Sequence, residues 1–179
     1  MPLPSAGDSR SRRAIDHTLD FISHSLEQTQ RVGQRLGDLA QAGDLYLLIG
    51  DLGTGKTSLA QGVAKGLGID RAITSPSFTL LNEYATRECG GRLCFYHFDL
   101  YRLEHAAEDA LNLGIEEYLD GNGVCVVEWA EKAERLWSPE RLTVRLKLIS
   151  ETKRGIRLEP CGERYIHLVH EFRKRAFGV

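Results

Sequence analysis

Residues 50–57, Gly50-Asp51-Leu52-Gly53-Thr54-Gly55-Lys56-Thr57, satisfy the pattern G-x-x-x-x-G-K-[ST] at every position. The chemistry that this spacing suits is the binding of a polyphosphate. Glycines let the backbone curl so that successive N–H groups point inward, a lysine brings charge to the β and γ phosphates, and the following hydroxyl ligates Mg²⁺. Asp51, Leu52, Gly53, Thr54, Gly55, Lys56, Thr57 and Ser58 are therefore the candidate nucleotide-binding residues, with Lys56 also a candidate catalytic group. Such a loop needs an acid at the end of a neighbouring strand, because Mg²⁺ keeps most of its waters and a carboxylate must fix them. Two acids have the required setting: Asp99 directly follows Leu93–Phe98, and Glu128 directly follows the apolar run Val124–Val127. Both could face one nucleotide at the carboxyl ends of strands in an open sheet. Glu128 ends the cleaner apolar run and is expected in the metal shell with Thr57, leaving Asp99 to position or deprotonate the attacking water. A strand-end acid that caps a helix or pairs with a surface arginine is the plainer alternative for each. Trp129 flanks the metal acid and could lie near the phosphates or a partner, although simple packing is its ordinary role. Arg102 is either an internal arginine finger or half of an ion pair holding the Asp99–Arg102 turn, and His97 is expected to be an ordinary strand residue.

The loop requires a strand before it and a helix after it. Leu45–Ile49 is a wholly apolar run of the kind a buried parallel strand shows. Leu59, Ala60, Val63, Ala64 and Leu67 then recur at helical spacing until Gly66 and Gly68 end the helix. Upstream, Leu19–Ile22 can form a short edge strand. Ser25 precedes Gln28 in a capping box, and Val32, Leu36, Leu39 and Ala40 continue an amphipathic helix toward Gly43. Downstream, Thr74–Leu80 crowds hydroxyl groups around Pro76; it is either a segment that senses the γ phosphate or an ordinary polar loop. Strands are expected at Leu80–Tyr84 and Arg92–Phe98, joined by a turn at Arg87–Gly91. Short helices are expected at Ala106–Asn112 and Ile115–Leu119, and helix again at Ala130–Leu136 up to Ser138-Pro139. Leu142–Ile149 alternates as a strand with one wet face, Ile156–Leu158 pairs with it after a turn near Thr152–Arg154, and Ile166, Val169, Phe172 and Ala176 mark a last helix.

With 179 residues, 42% of them hydrophobic, the chain has material for one core. The expected organisation is a disordered tail at 1–14, rich in Pro, Ser, Gly and Arg, and a single domain at 15–179. A start of that composition could also be an organelle transit peptide, against which Asp8 and Asp16 argue. A net charge of −2 gives no global footprint for nucleic acid, so DNA is not an expected partner and any RNA contact would be local or made through another protein. Apolar runs of about five residues fall far short of a membrane span, and no signal-peptide core is present, so a cytoplasmic location is expected. Cys89, Cys94, Cys125 and Cys161 have no zinc-type spacing; they are expected to be reduced, with Cys94 and Cys125 as small core residues in strands.

The guanine-specifying Asn-Lys-x-Asp is absent, so ATP is favoured over GTP. The fold class expected from the whole pattern is a single α/β P-loop NTPase domain, with a mostly parallel central sheet, helices on both faces and an antiparallel C-terminal hairpin. Gly50–Thr57, Thr74-Ser75-Pro76-Ser77-Phe78, Tyr96-His97-Phe98-Asp99-Leu100-Tyr101-Arg102-Leu103, Gly114–Tyr118 and Val127-Glu128-Trp129 together resemble the TsaE (YjeE) family over about Leu19 to Pro160. Ser77 stands where the family often has Thr, which keeps the hydroxyl. The resemblance implies ATP at the P-loop, Mg²⁺ at Thr57 and Glu128, functional weight for Asp99 and Trp129, and weak hydrolysis by the isolated chain. It also implies work with TsaB and TsaD partners toward threonylcarbamoyladenosine at position 37 of tRNAs reading codons that begin with A. The rival reading is a small-molecule kinase with Asp99 and Arg102 lining its acceptor pocket; a nucleotide-gated scaffold is the non-enzymatic one.

Overall fold

In the computed structural model residues 17–84 and 93–179 are described. The tail expected at 1–14 and the turn expected at Arg87–Gly91 lie outside them. The strands are β1 (Leu19–Ser23), β2 (Leu45–Ile49), β3 (Leu81–Tyr84), β4 (Phe95–Asp99), β5 (Val124–Glu128), β6 (Arg141–Leu148) and β7 (Arg154–Cys161). They form one sheet in the order β1-β7-β6-β2-β5-β4-β3. The four central strands, β6, β2, β5 and β4, run parallel. Antiparallel pairs complete both edges: β7 and β1 beside β6, and β3 beside β4.

β2, and β5 up to its last residue Glu128, are apolar because both their faces are covered. Tyr46 and Leu48 point into a core shared with α1 (Leu26–Leu39), α2 (Lys56–Gly66) and the C-terminal helix, while Leu45 and Leu47 point into a second core with Phe98, Ile115, Ala130 and Trp137. The second face carries α3 (Ala106–Asn112) and α4 (Ile115–Leu119), and α5 (Glu163–Phe177) closes the first.

α1 begins at Ser25, whose side chain accepts from the Gln28 N–H at 3.1 Å. The reciprocal bond goes from the His24 N–H to Gln28 Oε1, one residue earlier than in the usual box. α1 and α2 pack through facing glycines: a β-carbon on Gly33 would stand 2.1 Å from the Leu59 carbonyl oxygen, and one on Gly62 2.0 Å from that of Gln30. Gly37 and Gly66 repeat the contact one turn on, at 2.2 Å from the carbonyl oxygens of Val63 and Gln34.

Two local expectations change. Ala130–Leu136 is a 3₁₀ segment instead of an α-helix, with Ala133 at φ −133°. The non-helical backbone at Ala133 interrupts it, and the Trp137 indole N–H folds back to donate to the Ala130 carbonyl at 2.8 Å. Cys125 is buried within β5, but Cys94 precedes β4 and is only half-buried. Among the described residues no helix is long and apolar enough to cross a membrane.

Candidate functional site

The loop between β2 and α2 stands at the carboxyl edge of the parallel strands. It turns through left-handed glycines, Gly53 at φ 80° and Gly55 at φ 100°, conformations that side chains with a β-carbon disfavour. Gly55 caps α2 without a side chain, so the first N–H groups of that helix are left for a ligand. Leu52, Gly53, Gly55, Lys56, Thr57, Ser58, Asp99, Glu128 and Trp129 line one cleft of about 400 Å³, within the range of small-ligand sites. The other two expected contact residues serve the loop itself: the Thr54 hydroxyl donates to the Asp51 carbonyl at 2.8 Å.

Sheet register sets the acids. Glu128 is the last residue of β5 and lies opposite both Leu48 of β2 and Asp99 of β4. The side chains of Glu128 and Asp99 therefore reach the cleft from adjacent strands, both residues being buried. Their oxygens have separate tasks. Glu128 Oε2 accepts from the Thr57 hydroxyl at 3.0 Å, and Oε1 meets His97 Nε2 at 2.8 Å. Asp99 Oδ2 accepts from the Ser75 hydroxyl, and Oδ1 accepts from the Tyr101 N–H at 2.9 Å. The Asp99 N–H in turn donates to the Leu80 carbonyl at 3.1 Å, so the Ser75–Leu80 bend is tied to Asp99 twice.

Lys56 lies between these acids and the loop. Its ammonium donates to the carbonyls of Gly50 and Asp51 and sits 3.8 Å from the centre of the Trp129 ring. Burial pulls its pKa down, and the charges of Glu128, Glu131, Asp99 and Asp51 oppose that pull. Trp129 is held in this position at a backbone cost: with Leu80 it is one of two non-glycine residues at positive φ among those described, at 59° and 67°. Each such residue costs on the order of 1–3 kcal/mol, and both flank this cleft.

Thr57 and Glu128 are hard oxygen donors placed side by side, which fits a small divalent cation such as Mg²⁺. Among the described residues no group of three or more His, Cys, Asp or Glu side chains could hold a metal, so an ion here would draw its other ligands from phosphate and water.

Of the two readings of Arg102, the ion pair with the Asp99 turn does not form: its guanidinium lies 4.1 Å over the Phe78 ring, and the turn after Asp99 is held by the Tyr101 N–H. His97 is more than a strand residue, being fully buried and bonded to Glu128. A signal for it existed, since a period of two puts His97 and Asp99 on one face of β4. Tyr101, whose ring lies 4.9 Å from that of Trp129, and Arg154 also line the cleft; nothing local marks Arg154, which reads as part of a turn.

These features define a class: an α/β domain in which a glycine-rich loop joins a central parallel strand to a helix, with acids at the ends of the two strands beyond. Within that class the chain belongs to the TsaE family, whose sequence profile, described as "Threonylcarbamoyl adenosine biosynthesis protein TsaE", matches residues 23–156. It is similar to the tRNA threonylcarbamoyladenosine biosynthesis protein TsaE of Bacillus subtilis (strain 168), 41% identical over 145 residues that cover 81% of this chain and 87% of that one. The protein of the same name from Treponema pallidum (strain Nichols) is 40% identical over 135 residues, covering 75% and 96%. In three dimensions the chain is similar to the crystal structure of Bacillus subtilis YdiB, with a TM-score of 0.76, 35% identity, and coverage of 89% of this chain and 96% of that one.

Proposed function

We propose that this chain binds ATP with Mg²⁺ and hydrolyses it weakly by itself. In this reading it is a cytoplasmic protein required for threonylcarbamoyladenosine at position 37 of tRNAs reading ANN codons. It works through a complex of TsaB and TsaD type and meets tRNA only through that complex. The observation that carries the reading is the meeting of the Thr57 hydroxyl and Glu128 carboxylate at 3.0 Å beside the Lys56 loop, in a chain of the TsaE family.

On ATP binding, Lys56 exchanges the Gly50 and Asp51 carbonyls for phosphate oxygens, and the loop N–H groups face the phosphates. Thr57 and Glu128 would hold the metal, with His97 fixing the carboxylate, and a bound Mg²⁺ would offset the phosphate charge there. Asp99 aligns the attacking water or links the γ phosphate to the Ser75–Leu80 bend. Changes in that bend and in Asp99–Arg102 then reach the partner, the arrangement of a γ-phosphate switch. Leu52 at 72%, Phe78 at 83% and Tyr101 at 42% exposure place apolar surface around the cleft, which supports a partner covering it.

In this scheme hydrolysis resets the partner complex between modification cycles. The test is reconstituted tRNA modification with and without the chain, followed by nucleoside mass spectrometry. Glu128→Ala is expected to stop the system after about one turnover per complex; multiple turnovers at the wild-type rate would refute the resetting role.

A further inference from the structure

We propose that Arg102 is a catalytic residue whose guanidinium, parked on the Phe78 ring in this structure, moves to the γ phosphate when ATP is hydrolysed, an inference that rests on the ATPase reading above. Hydrolysis redistributes negative charge at the γ phosphate beside two carboxylates, Glu128 and Asp99, so a cation on their side of the loop would offset it. Three cations line the cleft: Lys56, Arg102 and Arg154. Lys56 belongs to the loop itself. Arg154 opens β7, which lies with β6 on the far side of β2 from β5 and β4. Arg102 alone comes from the side of the acids, on the turn that follows Asp99 at the end of β4.

Among the described residues no hydrogen bond or ion pair holds the Arg102 side chain, and its guanidinium carbon lies 4.1 Å from the centre of the Phe78 ring. Phe78 sits on a turn that the Leu80 N–H closes on the Pro76 carbonyl at 2.7 Å, and it is 83% exposed, so burial does not hold the ring there. An exposed cation–π contact is worth a factor of only about 2–5. A guanidinium fork on a phosphate makes paired, charge-assisted bonds, which are stronger. Phosphate therefore takes the guanidinium from the ring, and every N–H of its fork is free to be donated.

The step leaves Arg102 protonated throughout. The water oxygen bonds to the γ phosphorus, the bond from that phosphorus to the β–γ bridging oxygen breaks, and its electron pair leaves with ADP. The proton lost by the water passes to inorganic phosphate or solvent. Arg102 donates hydrogen bonds to the phosphate oxygens while their charge redistributes. Parking on Phe78 keeps part of the population out of this arrangement, which slows the isolated chain. A partner that takes up the exposed ring frees Arg102, and docking is thereby linked to turnover.

The test is single-turnover hydrolysis of ATP and equilibrium binding of ADP, both with Mg²⁺, by wild type, Arg102→Ala, Arg102→Lys and Phe78→Leu. Arg102→Ala is expected to lower the rate by about a hundredfold or more and to keep ADP affinity within about twofold. Added guanidinium ion should restore part of that rate. Phe78→Leu, which removes the ring but not the guanidinium, is expected to raise the rate by about 2–5-fold. Wild-type hydrolysis by Arg102→Ala overturns the inference. So does a loss in Phe78→Leu as large as that in Arg102→Ala, which would make the pair a brace of the bend, or an equal loss of ADP affinity. A wild-type chain that neither binds ADP nor hydrolyses ATP would instead remove the ATPase reading, so the two failures are distinguishable. Should Arg102→Ala not fold, Arg102→Lys carries the comparison, because it keeps the charge but lacks the planar fork, and its rate should fall by about tenfold or more.

Discussion

His97 Nε2 and Glu128 Oε1 meet at 2.8 Å, with both side chains buried, while the other oxygen of the same carboxylate receives the Thr57 hydroxyl. The imidazole therefore leaves Glu128 one orientation, with Oε2 toward the loop. A group that orients a metal-holding carboxylate typically contributes 10- to 100-fold to metal affinity or activity, and His97 would have this position if Glu128 holds Mg²⁺ as proposed.

His97→Phe keeps the ring among its neighbours, one of which is Phe95 with ring centres 5.7 Å apart, but removes the bond to Glu128. ATP hydrolysis is expected to fall at least about tenfold, and the Mg²⁺ concentration for half-maximal rate to rise, with metal-free ADP affinity within about twofold of wild type. A titration of rate against Mg²⁺ and metal-free ADP binding measure both. An equal loss of metal-free ADP affinity would contradict the assignment.

The Trp129 ring lies 3.8 Å from the Lys56 ammonium, and phosphates entering the loop compete for that same ammonium. Nucleotide binding should change the environment of this indole and leave that of Trp137, buried in the second core, unchanged. Intrinsic fluorescence is expected to shift on addition of Mg²⁺ and ADP in wild type and in Trp137→Phe, and to be silent in Trp129→Phe. A signal retained in Trp129→Phe would place the binding event elsewhere.

Ser75 ties its bend to Asp99 through one side-chain bond, and the Asp99 N–H ties it again through the Leu80 carbonyl. Ser75→Ala removes the first tie. Amide exchange at Leu80 and Asp99 is expected to accelerate by about tenfold, the worth of one hydrogen bond to a charged group, while β2 amides keep their protection. Unchanged exchange at both amides would mean that the bend is held by packing alone.

The loop was legible because its chemistry is written in consecutive residues, and Glu128 because an apolar buried strand ends on an acid. His97 and Arg154 were not, for a shared reason. The worth of His97 depends on β4 pairing with β5, and that of Arg154 on β7 turning back beside β6, so that residues of distant segments meet at one edge. Local periodicity states which face a residue occupies but not which strand lies beside it. The change at Ala130–Leu136 has a different origin: helix propensity there is overridden by packing, with the backbone breaking at Ala133 and the Trp137 indole folded back onto the Ala130 carbonyl. Arg102 similarly offered a charge partner for Asp99 in sequence, but that carboxylate accepts from the backbone N–H of Tyr101 and the guanidinium lies over the Phe78 ring.

The glycine pairs of α1 and α2 were also hidden, since in sequence they only weaken two helices. In the fold, Gly33 and Gly37 of α1 face Gly62 and Gly66 of α2 so closely that an added β-carbon at Gly62 would lie 2.0 Å from the Gln30 carbonyl oxygen. Backbone cannot yield there as a flexible side chain could. An alanine in an open helix would gain roughly 1 kcal/mol over glycine, so propensity and packing predict opposite signs for Gly62→Ala. Packing is expected to win by about 2–3 kcal/mol, which for a domain of this size lowers the melting temperature by roughly 5–10 °C. Because α2 begins at Lys56, pushing the helices apart should also displace the loop, and ADP affinity is expected to fall in the fraction that remains folded. Calorimetric melting and ADP titration of Gly62→Ala measure both effects. A variant as stable as wild type would show that the two helices do not approach as closely as these four glycines allow.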